Sequence, residues 1–335
     1  MSLNQPDAEF ESHLAFRNFL GKAFGIVCMV STWFSIGALV VLLASVSWQA
    51  SGWLNWSFIT NYDSRHPEQA GVLAGLWGSL WLIFFTTIFT VPVGIGAAVY
   101  LEEYTQNGWI KRFIQVNLSN LAGVPSIVYG ILGLTVFVRM FGLFGTKERV
   151  IELSLFVLTL EIPVPFGTTV LSGALTLSLL ILPVVIVASQ ESLRAVPSSI
   201  RHASYALAAT RWQTIRHQVL PSALPGMLTG VILAISRAIG ETAPLVIIGA
   251  LTYVAATPGD IESPADLLRN PGSVAEVPFS EFTTLPIQIF NWVKLPNSDF
   301  QHVAAASILV LLIFLLVLNG VVIYVRNRFQ KNVRW

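Results

Sequence analysis

Apolar residues gather along this chain in long runs, and polar positions are confined to the segments between them. A helix needs about 20 apolar residues to cross a hydrocarbon core of about 30 Å. Six stretches meet that length, at 24–48, 75–100, 113–141, 170–189, 223–253 and 303–325. Pro125 interrupts the third and Pro244 the fifth, which membrane helices tolerate where neighbours satisfy the freed backbone groups. The first stretch follows a polar leader, residues 1–23, and lacks a small-residue cleavage site, so it reads as a span and not as a signal peptide. The pattern predicts an all-α, polytopic membrane protein with six transmembrane helices.

Two polar segments differ in character. Segment 255–301 is punctuated by Pro258, Pro264, Pro271, Pro278, Pro286 and Pro296 and reads as an ordered, irregular outer loop. Segment 190–220 instead places Ile200, Ala203, Leu207, Ile215 and Val219 at helical spacing among basic residues, with Pro197 suited to a first helical turn. It reads as two short amphipathic helices joined near 208–211. Such a hairpin can lie on the membrane, fill a partner's groove, or pack on the protein's own inner face.

Composition sharpens this picture. The 335 residues are 54% hydrophobic and 11% charged, against about 25% charged in soluble domains, which excludes a soluble enzyme and a disordered chain. A net charge of +1 gives no basic face for nucleic acid. The single cysteine, Cys28, excludes a disulfide framework and a thiolate metal cluster. With the N-terminus inside, the inner segments hold Arg17, Lys22, Lys111, Arg112, Arg194, Arg201, Arg211, Arg216, Arg326, Arg328, Lys331 and Arg334. The outer segments hold Arg65, Arg139, Lys147, Arg149, Arg269 and Lys294. The positive-inside rule therefore expects both termini in the cytoplasm.

Arg237 stands apart from these cations, inside the fifth stretch and four residues before Glu241. At 1.5 Å per residue it lies about 24 Å along a helix from Pro221, deep in the bilayer, where an ionisable side chain costs several kcal/mol. The two side chains either neutralise each other as a local pair or face a watery interface, where arginine's planar fork suits oxyanion oxygens. Glu241 can orient the arginine, accept a proton from the anion, or hold the arginine when no anion is present. Gly240 and Pro244 flank the pair, while Gly123, Pro125 and Gly130 interrupt the third stretch beside the polar Ser126 and Tyr129. Those polar groups can contact a substrate or bond between helices. The pairs Gly71/Gly75 and Gly226/Gly230 have the spacing of close helix contacts. No Gly-x-x-x-x-Gly-Lys-Ser/Thr phosphate loop and no Gly-x-Ser-x-Gly elbow is present, and the histidines lack metal-ligand spacing.

Segment 190–221 resembles the inner loop of ABC-transporter permeases, whose pattern is Glu-Ala-Ala, three residues, Gly, nine residues, Ile, one residue, Leu-Pro. Here it falls on His202, Ala203, Ser204, Ala208, Gln218, Leu220 and Pro221, with His202, Ser204, Ala208 and Gln218 departing from the pattern. Four further stretches are similar to the PstA-type branch of phosphate permeases. They are Tyr100-Leu-Glu-Glu-Tyr104, Asn120-Leu-Ala-Gly-Val-Pro-Ser-Ile-Val-Tyr-Gly130, Ala206-Leu-Ala-Ala-Thr-Arg-Trp-Gln-Thr214 and Ser236-Arg-Ala-Ile-Gly-Glu-Thr-Ala-Pro-Leu245.

The resemblance implies a type I ABC importer permease fold over residues 71–330, preceded by a leader, first span and outer loop at 1–70 and followed by a cytoplasmic tail at 331–335. It implies a non-catalytic inner-membrane subunit that carries inorganic phosphate and binds no cofactor, ATP being held by partner chains. The partners implied are a PstC-like permease, a PstB-like ATPase dimer and a PstS-like external phosphate-binding protein. The substrate pathway falls on Arg237, Glu241, Thr242, Ser126 and Tyr129. ATPase coupling falls on His202, Ala203, Ser204, Ala208, Thr210 and Arg211, and helix hinges fall on Gly240, Pro244, Gly123 and Pro125. Competing expectations are a permease for sulfate or molybdate, a secondary transporter, and a membrane-embedded sensor or assembly factor.

Overall fold

A computed structural model describes residues 7–106, 108–140, 149–155, 158–250, 254, 256–269 and 271–330. The expected tail at 331–335, and the ends of the third and fifth stretches at Phe141 and Tyr253, lie outside them. The chain opens with α1 (Asp7–Ala50), α2 (Trp56–Thr60) and α3 (Leu73–Val99), the last continuing as a wider π turn over Tyr100–Tyr104. Next come α4 (Trp109–Ala122), α5 (Ser126–Gly133) with a π turn at Leu134–Val138, and strands β1 (Arg149–Leu155) and β2 (Leu158–Val164). Helices α6 (Val170–Arg194), α7 (Ser198–Ala206), α8 (Arg211–Thr214) and α9 (Leu220–Gly240) follow, α8 and α9 being joined by a π turn at Ile215–Val219. The chain closes with α10 (Ala243–Ile248), α11 (Asp266–Arg269), α12 (Pro271–Glu276), α13 (Leu285–Lys294) and α14 (Asp299–Gln330).

Among the described residues, five helices are long and apolar enough to cross a membrane: Phe16–Ala50, Leu73–Tyr104, Val170–Arg194, Arg211–Gly240 and Asp299–Arg328. The expected third span is not straight. It is the pair Trp109–Ala122 and Ser126–Val138, bent by 101°. Pro125 has no N–H and pushes Val124 out of the helical region, so the chain turns where a continuous helix was expected. The fifth span is displaced for the same reason. It starts at Arg211, ends at Gly240, and α10 restarts behind Pro244 in its first turn. The second amphipathic helix expected in segment 190–220 is therefore the base of this span.

The all-α class holds, with one short addition. Strands β1 and β2 form an antiparallel ribbon from Arg149↔Val164 to Leu155↔Leu158. Segment 255–301 is more regular than its prolines suggest, containing α11, α12 and α13. It caps the end of α3: Trp292 Nε1–H donates to Asp63 Oδ1 at 2.9 Å, Trp77 Nε1–H to the Glu262 carbonyl at 3.1 Å, and Leu285 N–H to Ser79 Oγ at 3.0 Å. Tyr62 donates to Glu262 at 2.5 Å. Burial, reinforced by that carboxylate, pushes the Tyr62 hydroxyl up to about 12. Burial also raises the Asp63 carboxyl, with the Trp292 donor acting against it.

Helix α6 is the centre of the bundle, packing on α3, α9, α5 and α4. Leu177, Ile181, Trp81 and Phe282 belong to its buried core. Backbones approach closely at the small residues. A Cβ at Gly94 would lie 2.7 Å from Val185, and one at Gly226 2.7 Å from Ser192; Gly230 abuts Ala188 Cβ. The Gly226/Gly230 pair thus seats α9 on α6, whereas Gly71 and Gly75 abut Asn61 and Gln288. In contrast, α1 leaves Phe24, Trp33, Phe34 and Val41 largely exposed, as α14 does Leu316 and Val321. Such an outward apolar surface suits lipid. Replacing Gly230 by Val forces overpacking against Ala188 and is expected to cost about 1–3 kcal/mol, measured as a lower thermal-unfolding midpoint in detergent.

Candidate functional site

Two regions carry the expected site residues, and the first is the hairpin at one end of the bundle. Helix α7 ends in a Schellman motif: Ala209 N–H reaches the Ser204 carbonyl at 3.2 Å and Ala208 N–H the Tyr205 carbonyl at 2.9 Å. That closure requires a left-handed residue, and Ala208 supplies it with φ +59°. The family pattern has glycine there because glycine adopts this geometry without a Cβ clash. Thr210 then caps α8, accepting from Gln213 N–H at 3.3 Å while Gln213 Oε1 accepts from Thr210 N–H at 2.8 Å. Ser204 and Thr214 hydroxyls meet at 2.8 Å and fix the angle between the arms. His202, Ala203, Tyr205, Leu207, Arg211 and Trp212 face outward, Leu207 being 85% exposed. An open groove runs between the arms, lined by Ile200, Ala203, Leu207 and His217.

What holds this hairpin was missed in the sequence, where Glu102 and Glu103 served only as marks of resemblance. The Glu103 carboxylate accepts from Arg201 Nη2 at 2.6 Å and Nε at 3.2 Å. The same guanidinium donates to the carbonyls of Val196 at 2.8 Å and Leu193 at 3.0 Å. Glu102 pairs with Lys111 Nζ at 3.3 Å and with Arg194, which also reaches Glu191 at 2.9 Å. The Arg211 guanidinium lies over the Tyr104 ring, 5.5 Å from its centroid. The sequence signal was available: adjacent acids at the end of an apolar run, facing an arginine-rich loop.

The second region lies at the two helix breaks. Arg237 occupies the last turn of α9, where the helix dipole favours a cation. Glu241 is the residue at which the helix stops, with φ −80° and ψ 109°, so the expected i, i+4 pair straddles a helix end. Arg237 Nε donates to Glu241 Oε1 at 3.3 Å. Among the described residues, neither terminal nitrogen of Arg237 donates a hydrogen bond. Thr242 and Ser126, both partly exposed, stand at the starts of α10 and α5.

Tyr129 is buried, and its hydroxyl is already used. It donates to the Leu121 carbonyl at 2.9 Å, the acceptor that an N–H at Pro125 would otherwise serve. The helices that follow the breaks are packed together, since a Cβ at Gly130 of α5 would lie 2.7 Å from Pro244 Cα of α10. Gly123 has φ −94° and Gly240 has open space around it, so neither glycine is conformationally required. Pro125 and Pro244 make the breaks.

Residues 90–335 match the family described as binding-protein-dependent transport system inner membrane component. A probable ABC transporter permease protein, YqgI of Bacillus subtilis, is 33% identical over 199 residues, which is 59% of this chain and 60% of that protein. The chain thus spans less than two thirds of that relative's length. The phosphate transport system permease protein PstA 1 of Mycobacterium tuberculosis is 36% identical over 231 residues, 65% of this chain and 68% of that one. A bacterial alginate ABC transporter, solved with a periplasmic protein bound to alginate pentasaccharide, shares the fold. It has a TM-score of 0.57 and 14% identity, covering 94% of this chain and 95% of that one.

Two local expectations follow from the geometry. Tyr129→Phe leaves the Leu121 carbonyl with the Val124 N–H alone, at 3.1 Å, and should cost about 0.5–1.5 kcal/mol, read as a lower unfolding midpoint. Ala208→Gly relieves the left-handed alanine and should stabilise the hairpin by about 0.5–1 kcal/mol, seen as slower hydrogen exchange at the amides of residues 208 and 209.

Proposed function

The chain belongs to the family of binding-protein-dependent transport system inner membrane components, and we propose from that premise that it forms the phosphate pathway of an ATP-driven importer. One observation carries the reading. Arg237 sits in the last turn of α9 beside the second helix break, its Nε held by Glu241 and its terminal nitrogens donating no hydrogen bond among the described residues. A guanidinium carries five donors in a planar fork, and its free edge fits two oxygens of a tetrahedral oxyanion. Glu241 then holds the arginine in place while no anion is bound. A lone guanidinium at this depth would be costly, and the pair removes that cost without filling the fork.

The phosphate assignment is supported by the relative named as a phosphate transport permease and by the motifs around Tyr100–Tyr104 and Ser236–Leu245. The remaining assignments follow from the family. The hairpin at α7 and α8 docks an ATPase dimer on the cytoplasmic side, with Leu207, Tyr205 and Trp212 as its exposed apolar contacts. A second permease completes the pathway, and an external binding protein delivers the anion to the end capped by α11–α13. ATP is bound by the ATPase chains, and this subunit catalyses no reaction itself. Both termini face the cytoplasm in this reading, which the distribution of lysine and arginine supports.

The experiment is ATP-driven uptake of labelled phosphate by the reconstituted complex carrying Arg237→Gln, with excess sulfate or molybdate as competitors and ATPase co-purification checked in parallel. Uptake should fall by roughly 100-fold, the loss of charge-assisted contacts to the anion, while assembly persists and the competitors leave wild-type uptake unchanged. Normal uptake by an assembled Arg237→Gln complex overturns the pathway role. Competition by sulfate or molybdate overturns phosphate as the cargo.

A further inference from the structure

The outlying helices α7 and α4 share an unusual property. No side chain of α7 is buried, and the buried side chain of α4 is Lys111. Ile114 and Leu118 of α4 and Ile200 of α7 rest half-buried on the apolar cluster around Leu101 and Leu193, and both helices are also fixed by charge to the same five-residue turn, Tyr100–Tyr104. Glu103, 8% exposed, takes Arg201 of α7. Glu102 takes Lys111 of α4, 9% exposed, together with Arg194 at the end of α6. Consecutive side chains of this turn point in different directions, so the two acids serve different partners.

We propose that Glu103 and Glu102 form a transmission node, through which displacement of α7 is carried by α4 to the helix breaks beside Arg237; this rests on the transport reading above. Glu103 and Glu102 are positioning residues, touching neither anion nor nucleotide. Three facts make the node stiff. The Arg201 guanidinium is filled by Glu103 and by the Leu193 and Val196 carbonyls, so α7 cannot move without the end of α6 or the loss of those bonds. A carboxylate as buried as Glu103 cannot part from its cation without standing uncompensated. Three cations, Lys111, Arg194 and Arg201, face three acids, Glu102, Glu103 and Glu191, so the charges within the cluster balance.

The path onward is covalent and packed. Helix α4 leads directly to the bend at Val124–Pro125, and α5 beyond it rests on α10 through Gly130 and Pro244. A rigid element with charge at one end and a break at the other has the form of a lever.

The test compares wild type, Glu103→Gln and Lys111→Met in the reconstituted complex, reading hydrogen exchange at residues 198–206 and phosphate transported per ATP hydrolysed. Glu103→Gln should speed exchange over 198–206 and lower the transported ratio about tenfold, a coupling loss of ordinary size. Lys111→Met should leave exchange over 198–206 at the wild-type rate and still lower the ratio, because only the α4 arm is cut. A wild-type ratio in Lys111→Met, or unchanged exchange in Glu103→Gln, overturns the node. If the ratio stays normal in Glu103→Gln while exchange rises, the pair merely stabilises the hairpin and the proposal fails. A wild-type complex that hydrolyses ATP without moving phosphate overturns the functional reading, and the exchange measurements then judge the clamp alone.

Discussion

Lipid offers no hydrogen bonds, so a helix that breaks inside a membrane protein must find partners for its freed backbone groups within the protein. That constraint organises the middle of this molecule. Pro125 cannot supply the usual helical donor to the Leu121 carbonyl, which is served instead by the Val124 N–H and by the Tyr129 hydroxyl from the next helix. The second break, between Gly240 and Ala243, is placed against the first by the contact of Gly130 with Pro244. The helices that follow the two breaks, α5 and α10, are buried against each other at Gly130 and Pro244, while Pro125, Gly240 and Ala243 stay exposed. The arginine beside them is kept by its neighbouring carboxylate, with part of its fork unfilled.

At one end of the bundle, charge takes over from packing. Apolar surface has no reason to leave lipid for protein, so outward helices such as α1 and α14 remain widely exposed. Helices α4 and α7 solve the same problem with ion pairs to the end of α3, where burial of Glu103 and Lys111 makes separation of the partners costly. The opposite end uses indole donors. Trp77 and Trp292 reach from one segment to another and tie the cap formed by α11–α13 to the first long helix of the core. The helix breaks therefore lie between two ends that are each fixed by specific polar contacts.

Much of this could be read from the chain alone, and the reasons are local. Membrane spans announce themselves by length and hydropathy because the solvent they face is apolar on every side. Proline positions mark breaks because the missing N–H is a property of the residue itself. The Ala208 departure from glycine was visible as a letter, but its meaning depends on a left-handed backbone that the Schellman closure imposes. Glu102 and Glu103 were visible too, although their partners Lys111, Arg194 and Arg201 are distant in sequence.

The sequence by itself determined the membrane class, the spans at α1, α3, α6, α9 and α14, the two interrupted helices and the arginine–glutamate pair. Each is set by composition, period or a single residue's covalent geometry. Only the tertiary structure decided that the third span bends by 101°, that Tyr129 caps a backbone carbonyl, that the helices after the two breaks pack on each other, and that the turn at the end of α3 gathers α4, α6 and α7. Those facts depend on which groups meet across long sequence separations, and burial and hydrogen-bond satisfaction select such meetings for the whole chain at once.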